Sequence, residues 1–471
     1  MTSTPAPADA SKKSVIDKMT DLVNKMAGPL IRFADLPSVS SVQNGLVATV
    51  PVIIVGSFFL ILYVLGSPSV GTTGQPLLPF MAPLATQFLL VFQLTLGIMA
   101  LYASITIAMN YAERLKVDVK TAAVLGMAAF ILFTIGTIEN GTIVISSFGA
   151  TGLFVAILTS LVSVRFYKFL VDRNITIKLP DSVPPNIGNA FTALIPFLAI
   201  FTITWFVRTV LGFDMVTWLT TVLGPVISGA DNLPVFVGNR LLTGMLWAVG
   251  LHGDNMLLPI FQPLQQGWSE ANASALAAGI SPNNLPHVWT LYGLDRLTYW
   301  PATVWPVLIL MFMSKVKSHK ALATAATPAA IFTIVEPVIY GLPLALNPFL
   351  LIPFLVTSVV SGTVTYLAFS LHLVDRYFAI LPWATPPFIS GPLGTGDWKT
   401  LIVLALNIAI GFFIYLPFFK IYEKHELELE ARRAAEEEAE AADEVLPSKA
   451  ATQAVPTIRA ERARPEEEAR V

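Results

Sequence analysis

Residues 46–65 read LVATVPVIIVGSFFLILYVL, and this stretch decides the class of fold. It carries no charged side chain, and its length matches the roughly 20 residues that an α-helix needs to cross the hydrocarbon core of a bilayer. The whole chain has the same character, because 54% of its 471 residues are hydrophobic and only 13% are charged. A soluble domain typically has about 25% charged residues. The sequence therefore predicts an all-α polytopic membrane protein.

Further apolar stretches have the length of a membrane span. Basic residues concentrate in the connections 111–120 and 165–178 and are absent from the connection 66–83, so they alternate along the first four spans. By the positive-inside rule this alternation predicts a multi-pass protein of the cytoplasmic membrane with both termini in the cytoplasm. The predicted spans are 46–65, 84–110, 121–138, 142–164, 189–211, 299–314, 349–372 and 400–419.

The second half of the chain is less regular than the first. Residues 215–266 and 321–353 are apolar but are interrupted by many glycines and prolines, too many for straight helices. Broken apolar segments are tolerated at membrane depth where they line a cavity, and in transporters they commonly form the substrate site. The sequence thus predicts a scaffold in the first half and a substrate site in the second. The more polar residues 267–298 are predicted to form a loop outside the hydrocarbon.

The two ends of the chain are charged. In residues 1–35, apolar side chains recur at helical spacing between lysines, which fits an amphipathic helix on a membrane face or an ordinary surface helix. Residues 424–471 are rich in Ala, Glu and Arg and form a charged cytoplasmic tail. They are predicted to be a solvated helix at most, followed by largely disordered chain.

Composition also excludes several functions. A net charge of −2 without a basic face argues against a nucleic-acid partner. The absence of cysteine excludes disulfides, thiolate metal sites and a cysteine nucleophile within these residues. The five histidines are scattered without metal-ligand spacing, and no phosphate-binding glycine loop is present, so no metal and no cofactor is expected. Any energy from ATP must come through another chain.

Glu336 is the one charged residue between Lys320 and Asp375. A carboxylate in a membrane segment costs a few kcal/mol, which calls for a reason. Because Pro337 follows it, a helix is expected to start there, and a carboxylate at a helix N-terminus is stabilised by the helix dipole. Glu336 is therefore either a structural cap in a buried hairpin or a carboxylate that faces a polar substrate.

A second polar cluster interrupts an apolar stretch as Gly250-Leu-His252-Gly-Asp254-Asn255. A histidine between glycines can approach a ligand closely, although a lone histidine is more often structural. His252, Asp254 and Asn255 are candidate substrate contacts because all three occur together in a broken segment. Lesser candidates are Asn140, in a short turn, and Trp383, which is either a sugar-facing ring or an interface anchor.

These motifs resemble a known family. The stretch Glu336–Pro348, EPVIYGLPLALNP, resembles the EPxxxGxPxxxNP signature of the IIC membrane components of the bacterial phosphoenolpyruvate-dependent sugar phosphotransferase system, in the lactose/cellobiose/diacetylchitobiose family. The stretches Pro51–Leu62 and Leu179–Pro185 and the Gly250–Asn255 motif agree with it. The resemblance extends over about residues 14–423 and leaves out the charged tail.

The resemblance implies about ten transmembrane helices and two re-entrant hairpins in the C-terminal half. Residues 36–188 would form the N-terminal scaffold and dimerisation half, and residues 189–423 the C-terminal sugar-binding half, in a homodimer. Glu336 and His252 match the family's sugar-contacting carboxylate and histidine, near the hydroxyl that becomes phosphorylated. Asn140 and Trp383 match shorter motifs, whereas at Asp254 and Asn255 the relatives vary.

The implied activity is uptake of a β-linked disaccharide whose C6 hydroxyl is phosphorylated by a phosphocysteine. Since the chain has no cysteine, that donor must lie on a separate IIB protein. Cellobiose, diacetylchitobiose, lactose and aryl β-glucosides all remain possible substrates. The residues alone also fit an ion-coupled secondary sugar transporter, and a receptor relative that senses sugar without moving it is a third possibility.

Overall fold

The computed structural model describes residues 29, 31–67, 76, 78–135, 146–177, 185–342, 344 and 347–444. The described chain is helical, with turns and irregular connections and without β-strands, which confirms the predicted all-α class. The α-helices are α1 (Pro37–Gly66), α2 (Ala85–Gln93), α3 (Met99–Leu115), α4 (Val119–Thr134), α5 (Ala150–Asp172), α6 (Pro185–Trp205), α7 (Met215–Ala230), α8 (Leu233–Ala248), α9 (Gly253–Ala277), α10 (Leu294–Thr303), α11 (Trp305–Met313), α12 (Lys317–Ile331), α13 (Glu336–Gly341), α14 (Pro348–Ser370), α15 (Pro387–Thr395) and α16 (Thr400–Glu444).

Shorter helical turns join some of these helices. Four are 3₁₀ turns and one is a π-helical turn that continues α6. They are Pro79–Leu84, Leu96–Ile98, Ser146–Phe148, Pro282–Asn284 and the π-turn Phe206–Val210.

Among the described residues, six helical segments are long and apolar enough to cross a membrane. The shorter apolar helices α4 and α7 accompany them. The six segments are Pro37–Gly66, Pro79–Leu115, Ala150–Asp172, Phe191–Val210, Phe349–Ser370 and Thr400–Glu436. A multi-pass membrane protein is thereby confirmed, while ten spans and two re-entrant hairpins remain predictions.

The helices of the N-terminal half pack through small side chains. Helices α3, α4 and α5 contact one another, and α3 also packs against α1. The Ser160 hydroxyl donates to the Ser104 carbonyl over 2.8 Å, and a Cβ atom added at Gly126 would lie 2.6 Å from the Cβ of Ala108. Without a hydrophobic driving force in lipid, such close backbone approach is what holds transmembrane helices together.

The C-terminal half contains the broken segments that the sequence predicts. Helix α12 ends at Ile331, the short α13 begins at Glu336, and α14 begins at Pro348. The Asn347 side chain caps α14 by accepting hydrogen bonds from the backbone N–H groups of Phe349 and Leu350. Proline in the first turn and an Asn cap both favour a helix start, so the signature sequence itself sets these breaks.

The predicted loop over 267–298 is wrong in part. Helix α9 continues through residue 277, and its polar side chains Gln262, Gln266 and Asn272 are buried. The Asn272 amide donates to the carbonyls of His287 and Tyr377 over 2.8 and 2.7 Å. The polar side chain of Asn272 therefore satisfies buried backbone groups.

Two further boundaries differ from the prediction. The expected span 299–314 falls in two short helices, α10 and α11, which meet at Val304. Pro306 lies in the first turn of α11 and cannot donate a hydrogen bond back into α10. The expected span 84–110 is interrupted by the 3₁₀ turn at Leu96–Ile98.

The charged ends are described only in part. The amphipathic segment predicted within residues 1–35 lies almost wholly outside the described residues. Helix α16 extends without a break into the charged tail as far as Glu444. The first part of the tail is therefore helical, and residues 445–471, predicted to be disordered, lie outside the described part.

Candidate functional site

His252 lies in the break between α8 and α9, where it caps the N-terminus of α9. Its Nδ1 accepts a hydrogen bond from the backbone N–H of Asn255 over 3.3 Å. A neutral imidazole that accepts at Nδ1 carries its proton on Nε2. The cap thus leaves an N–H donor on the far side of the ring.

The glycines on either side of His252 have structural reasons. Gly250 has a φ of +83°, a conformation that side-chain-bearing residues rarely adopt. A Cβ atom added at Gly253 would lie 2.2 Å from the Thr243 carbonyl oxygen. The first glycine makes the turn out of α8, and the second allows α9 to start against the backbone of α8.

Glu336 lies in the first turn of α13, where Pro337 predicted the start of a helix. The preceding turn contains Thr333 at a φ of +62°, where the chain leaves α12. The Glu336 side chain is 43% exposed, so the carboxylate is not sealed inside the protein.

The structure brings Glu336 and His252 together although they are distant in sequence. Glu336 Oε1 lies 3.8 Å from His252 Nε2, and the His252 side chain is 40% exposed. This separation exceeds a normal hydrogen bond. A hydroxyl group placed beside both atoms can donate to the carboxylate and accept from the imidazole. The second carboxylate oxygen, Oε2, is buried, and no described residue donates to it.

The Trp247 ring packs against the His252 imidazole. Its ring centroid lies 4.4 Å from that of His252, with 45° between the planes. The Trp247 side chain is almost completely buried, and Trp300 packs against it edge-on at 5.6 Å. Sequence reasoning missed Trp247 because an aromatic residue in an apolar run carries no distinguishing signal.

Asp254 and Asn255 lie next to His252, as their sequence position requires, but their groups point to different partners. The Asp254 carboxylate accepts a hydrogen bond from Trp247 Nε1 over 3.0 Å and lies 3.9 Å from the Arg240 guanidinium. Asn255 is exposed, and its backbone N–H binds His252. Both Asp254 carboxylate oxygens therefore face protein groups, Oδ2 toward Trp247 and Oδ1 toward Arg240.

Of the two lesser candidates, Trp383 is described and Asn140 is not. The Trp383 side chain is 50% exposed, and its carbonyl accepts a hydrogen bond from the Thr333 hydroxyl over 3.1 Å. Trp383 is thereby tied to the turn that leads to Glu336. Asn140 lies outside the described residues, and its role remains a prediction.

Three further charged residues, Arg240, Asp295 and Arg296, lie next to the segments that carry His252 and Glu336. Arg240 is buried and lies 3.2 Å from Asp295. Arg296 donates to the Thr333 hydroxyl over 3.1 Å. Asp295 and Arg296 fell within the predicted loop, although adjacent opposite charges directly before a predicted span were an available signal.

His252 and Glu336 offer hydrogen-bonding groups on side chains that are partly exposed. Within the described ranges, no three His, Cys, Asp or Glu side chains gather as a possible metal site. The groups present are an imidazole donor, a carboxylate acceptor and aromatic surface. This combination suits a neutral, hydroxyl-rich ligand.

The chain is similar to known membrane components of a sugar phosphotransferase system. The family described as "Phosphotransferase system, EIIC" matches residues 43–358. The chain is 32% identical to the lichenan permease IIC component of Bacillus subtilis (strain 168), over 91% of this chain and 100% of that protein. It is also 32% identical to the cellobiose-specific EIIC component of Geobacillus stearothermophilus, over 90% of this chain and 96% of that protein.

A solved structure shares the fold. The crystal structure of the transporter ChbC, the IIC component from the N,N'-diacetylchitobiose-specific phosphotransferase system, superposes with a TM-score of 0.78 at 30% identity. The match covers 88% of this chain and 99% of that one. The chain therefore belongs to the EIIC family of the sugar phosphotransferase system, in its lactose/cellobiose branch.

Proposed function

We propose that this chain carries a β-linked disaccharide of the cellobiose or diacetylchitobiose type across the membrane and presents its C6 hydroxyl for phosphorylation. The observation that carries the proposal is the 3.8 Å approach of His252 Nε2 to Glu336 Oε1 between two broken helices. Both side chains are partly exposed, so a sugar can reach them. The relatives whose names specify lichenan, cellobiose and diacetylchitobiose support a β-linked glucose-type substrate.

The proposed chemistry uses the two groups differently. Glu336 accepts the C6 hydroxyl proton while the hydroxyl oxygen attacks phosphorus, and His252 donates its Nε2 proton to a neighbouring sugar oxygen as a hydrogen bond. The new O–P bond forms as the S–P bond of a phosphocysteine breaks, and the cysteine leaves as a thiolate. Positioning is the main contribution, as in other phosphoryl transfers.

The phosphocysteine comes from outside these 471 residues, which contain no cysteine. A phosphorylated IIB protein is the proposed donor, docking from the cytoplasm. After transfer, the sugar phosphate carries about two negative charges at neutral pH. Once Glu336 has released the accepted proton to solvent, its carboxylate repels that product, which favours release of the sugar phosphate into the cytoplasm.

The arrangement of the halves is part of the proposal. Residues 36–188 would serve as scaffold and dimerisation surface, residues 189–423 would hold the sugar, and both termini would face the cytoplasm. The small-residue packing of α1, α3, α4 and α5 suits a scaffold, and the broken helices near Glu336 suit a mobile sugar site.

Uptake into proteoliposomes tests the proposal. Purified protein in vesicles loaded with phosphorylated IIB should accumulate radiolabelled cellobiose as its phosphate, without a proton or sodium gradient. Unphosphorylated IIB is the matched control and should give no accumulation. Accumulation of free sugar driven by an ion gradient would instead identify a secondary transporter, and binding without uptake would identify a receptor.

A further inference from the structure

Asp295 and Arg296 are adjacent, oppositely charged residues at the start of α10. They contact two different segments of the sugar site. Asp295 lies toward the segment that carries His252, and Arg296 lies toward the segment that carries Glu336. Among the described residues, neither the Asp295 nor the Arg296 side chain forms a hydrogen bond or an ion pair with His252 or Glu336.

The first arm runs from Asp295 through Arg240. Asp295 Oδ1 lies 3.2 Å from an Arg240 guanidinium nitrogen, and the Arg240 side chain is only 5% exposed. The guanidinium lies over the rings of Phe236 and Tyr299, at 5.7 and 5.2 Å from their centroids. The same guanidinium is 3.9 Å from the Asp254 carboxylate. Arg240 is thus held between two carboxylates and two aromatic faces.

The first arm ends on the imidazole. Asp254 accepts a hydrogen bond from Trp247 Nε1 over 3.0 Å. The Trp247 ring packs against the His252 ring, with 4.4 Å between their centroids. Asp254 also lies two residues after His252, in the first turn of α9. The position of the imidazole therefore depends on a continuous chain of contacts that starts at Asp295.

The second arm runs from Arg296 to the turn before Glu336. Arg296 Nη1 donates to the Thr333 hydroxyl over 3.1 Å, and this hydroxyl donates to the Trp383 carbonyl over 3.1 Å. Thr333 occupies a left-handed conformation that a non-glycine residue adopts only when its surroundings hold it there. These two hydrogen bonds hold the turn that precedes Glu336, and this turn sets the position of the Glu336 side chain.

Charged groups in such a setting are costly and call for a function. Arg240 and Asp295 are largely removed from solvent, at 5% and 20% side-chain exposure. We propose that Asp295 and Arg296 are positioning residues that together set the separation between His252 and Glu336. One dipeptide on α10 thereby holds both segments of the site. The importance of that separation for phosphotransfer rests on the proposed function.

A distance measurement tests the positioning directly. Because the chain lacks cysteine, spin labels can be attached at Ile260→Cys on α9 and Tyr340→Cys on α13, both exposed positions. Pulsed electron paramagnetic resonance should give one narrow distance distribution. Arg296→Gln and Asp295→Asn should broaden or shift it, and Arg296→Lys, which keeps a donor for Thr333, should restore it in part.

The matched control is Arg173→Gln, at an exposed arginine directly after α5 in the N-terminal half. It should leave the distribution unchanged. Distributions that are identical in wild type, Arg296→Gln and Asp295→Asn would overturn the positioning role. The Arg296→Lys variant keeps the charge and size of the side chain, so the test remains available if Arg296→Gln does not fold.

Phosphotransfer kinetics supply the functional readout. With phosphorylated IIB and saturating cellobiose, Arg296→Gln should slow sugar phosphorylation by up to about 100-fold, the loss expected from a misplacement of about 1 Å. Sugar affinity should change less than the rate. A shifted distance with an unchanged rate would overturn the importance of that separation for phosphotransfer, whereas a normal rate in Glu336→Gln would refute the proposed role of Glu336 and leave the distance result standing.

Discussion

The two halves of this permease solve the problem of packing helices in lipid in opposite ways. In the N-terminal half, glycine, alanine and serine let backbones approach, as at Gly126 and Ser160. In the C-terminal half, buried charges such as Arg240 and Asp295 join helices through ion pairs. Small-residue packing needs no charge desolvation, whereas buried ion pairs cost free energy to assemble.

The difference indicates a division of labour. The N-terminal half is held by close packing of small side chains and by neutral hydrogen bonds, which suits a scaffold. The C-terminal half holds partly exposed polar groups close together, which suits ligand binding and chemistry. Mutations in the two halves should therefore fail in different ways, through stability in the first and through phosphotransfer in the second.

The largest effect is expected at the carboxylate of the site. Glu336→Gln should reduce sugar phosphorylation by at least about 100-fold, because an amide cannot accept the hydroxyl proton. The rate of sugar phosphate formation with phosphorylated IIB measures this. Glu113→Gln, an exposed glutamate of α3, is the matched control and should retain the wild-type rate. Equal rates in the wild type and Glu336→Gln would contradict the division.

The next effect is on stability in the scaffold. Gly126→Ala should lower the free energy of unfolding by about 1–3 kcal/mol, since its Cβ would lie 2.6 Å from Ala108 Cβ. Thermal unfolding in detergent measures the change. Gly238→Ala is the control, because no described atom lies within 4 Å of a Cβ added in that helix. A normal Tm for Gly126→Ala, or an altered sugar affinity in a folded variant, would weaken the comparison.

A smaller effect is expected where the halves meet. Glu270 on α9 is buried and accepts hydrogen bonds from the Ala150 N–H over 2.7 Å and the Ser274 hydroxyl over 2.5 Å. Glu270→Gln should lower the free energy of unfolding by about 1 kcal/mol, because it loses one charge-assisted hydrogen bond to the start of α5. Thermal unfolding again reports it, and a Tm above that of wild type would show that the carboxylate is not stabilising.

The smallest effect is a pH dependence near the start of α12. Burial lowers the pKa of His319 from its ordinary value of 6.5, and the nearby Glu426, Glu423 and Glu430 partly oppose this. A lowered folded-state pKa means that the unfolded chain binds the proton more readily, so stability should decrease as the pH falls below about 6.5. Wild type should lose a few degrees more in Tm than His319→Gln between neutral and mildly acidic pH; equal losses would exclude this histidine as the cause.

Sequence patterns predicted the fold class and the core of the site. Long apolar stretches identified the membrane spans, and the isolation of Glu336 and the Gly250–Asn255 cluster identified the residues that the structure brings together. The proline of the signature that follows Glu336 also placed the start of α13 correctly. These features are local, so spacing along the chain is enough to find them.

What depended on tertiary contact could not be predicted. Asn272 and its polar neighbours suggested a solvated loop, because sequence does not show that their partners are buried carbonyls. Arg296 donates to Thr333, which is far away in the chain. Helix packing decides which polar residues come into contact, and no short sequence motif predicts these pairs.

The most direct test of the account is a structure of the protein with bound cellobiose. The C6 hydroxyl should lie within hydrogen-bond distance, about 2.6–3.2 Å, of Glu336 Oε1, and a neighbouring sugar oxygen should lie within the same distance of His252 Nε2. A disaccharide bound elsewhere, or one whose C6 hydroxyl points away from this carboxylate, would contradict the central claim.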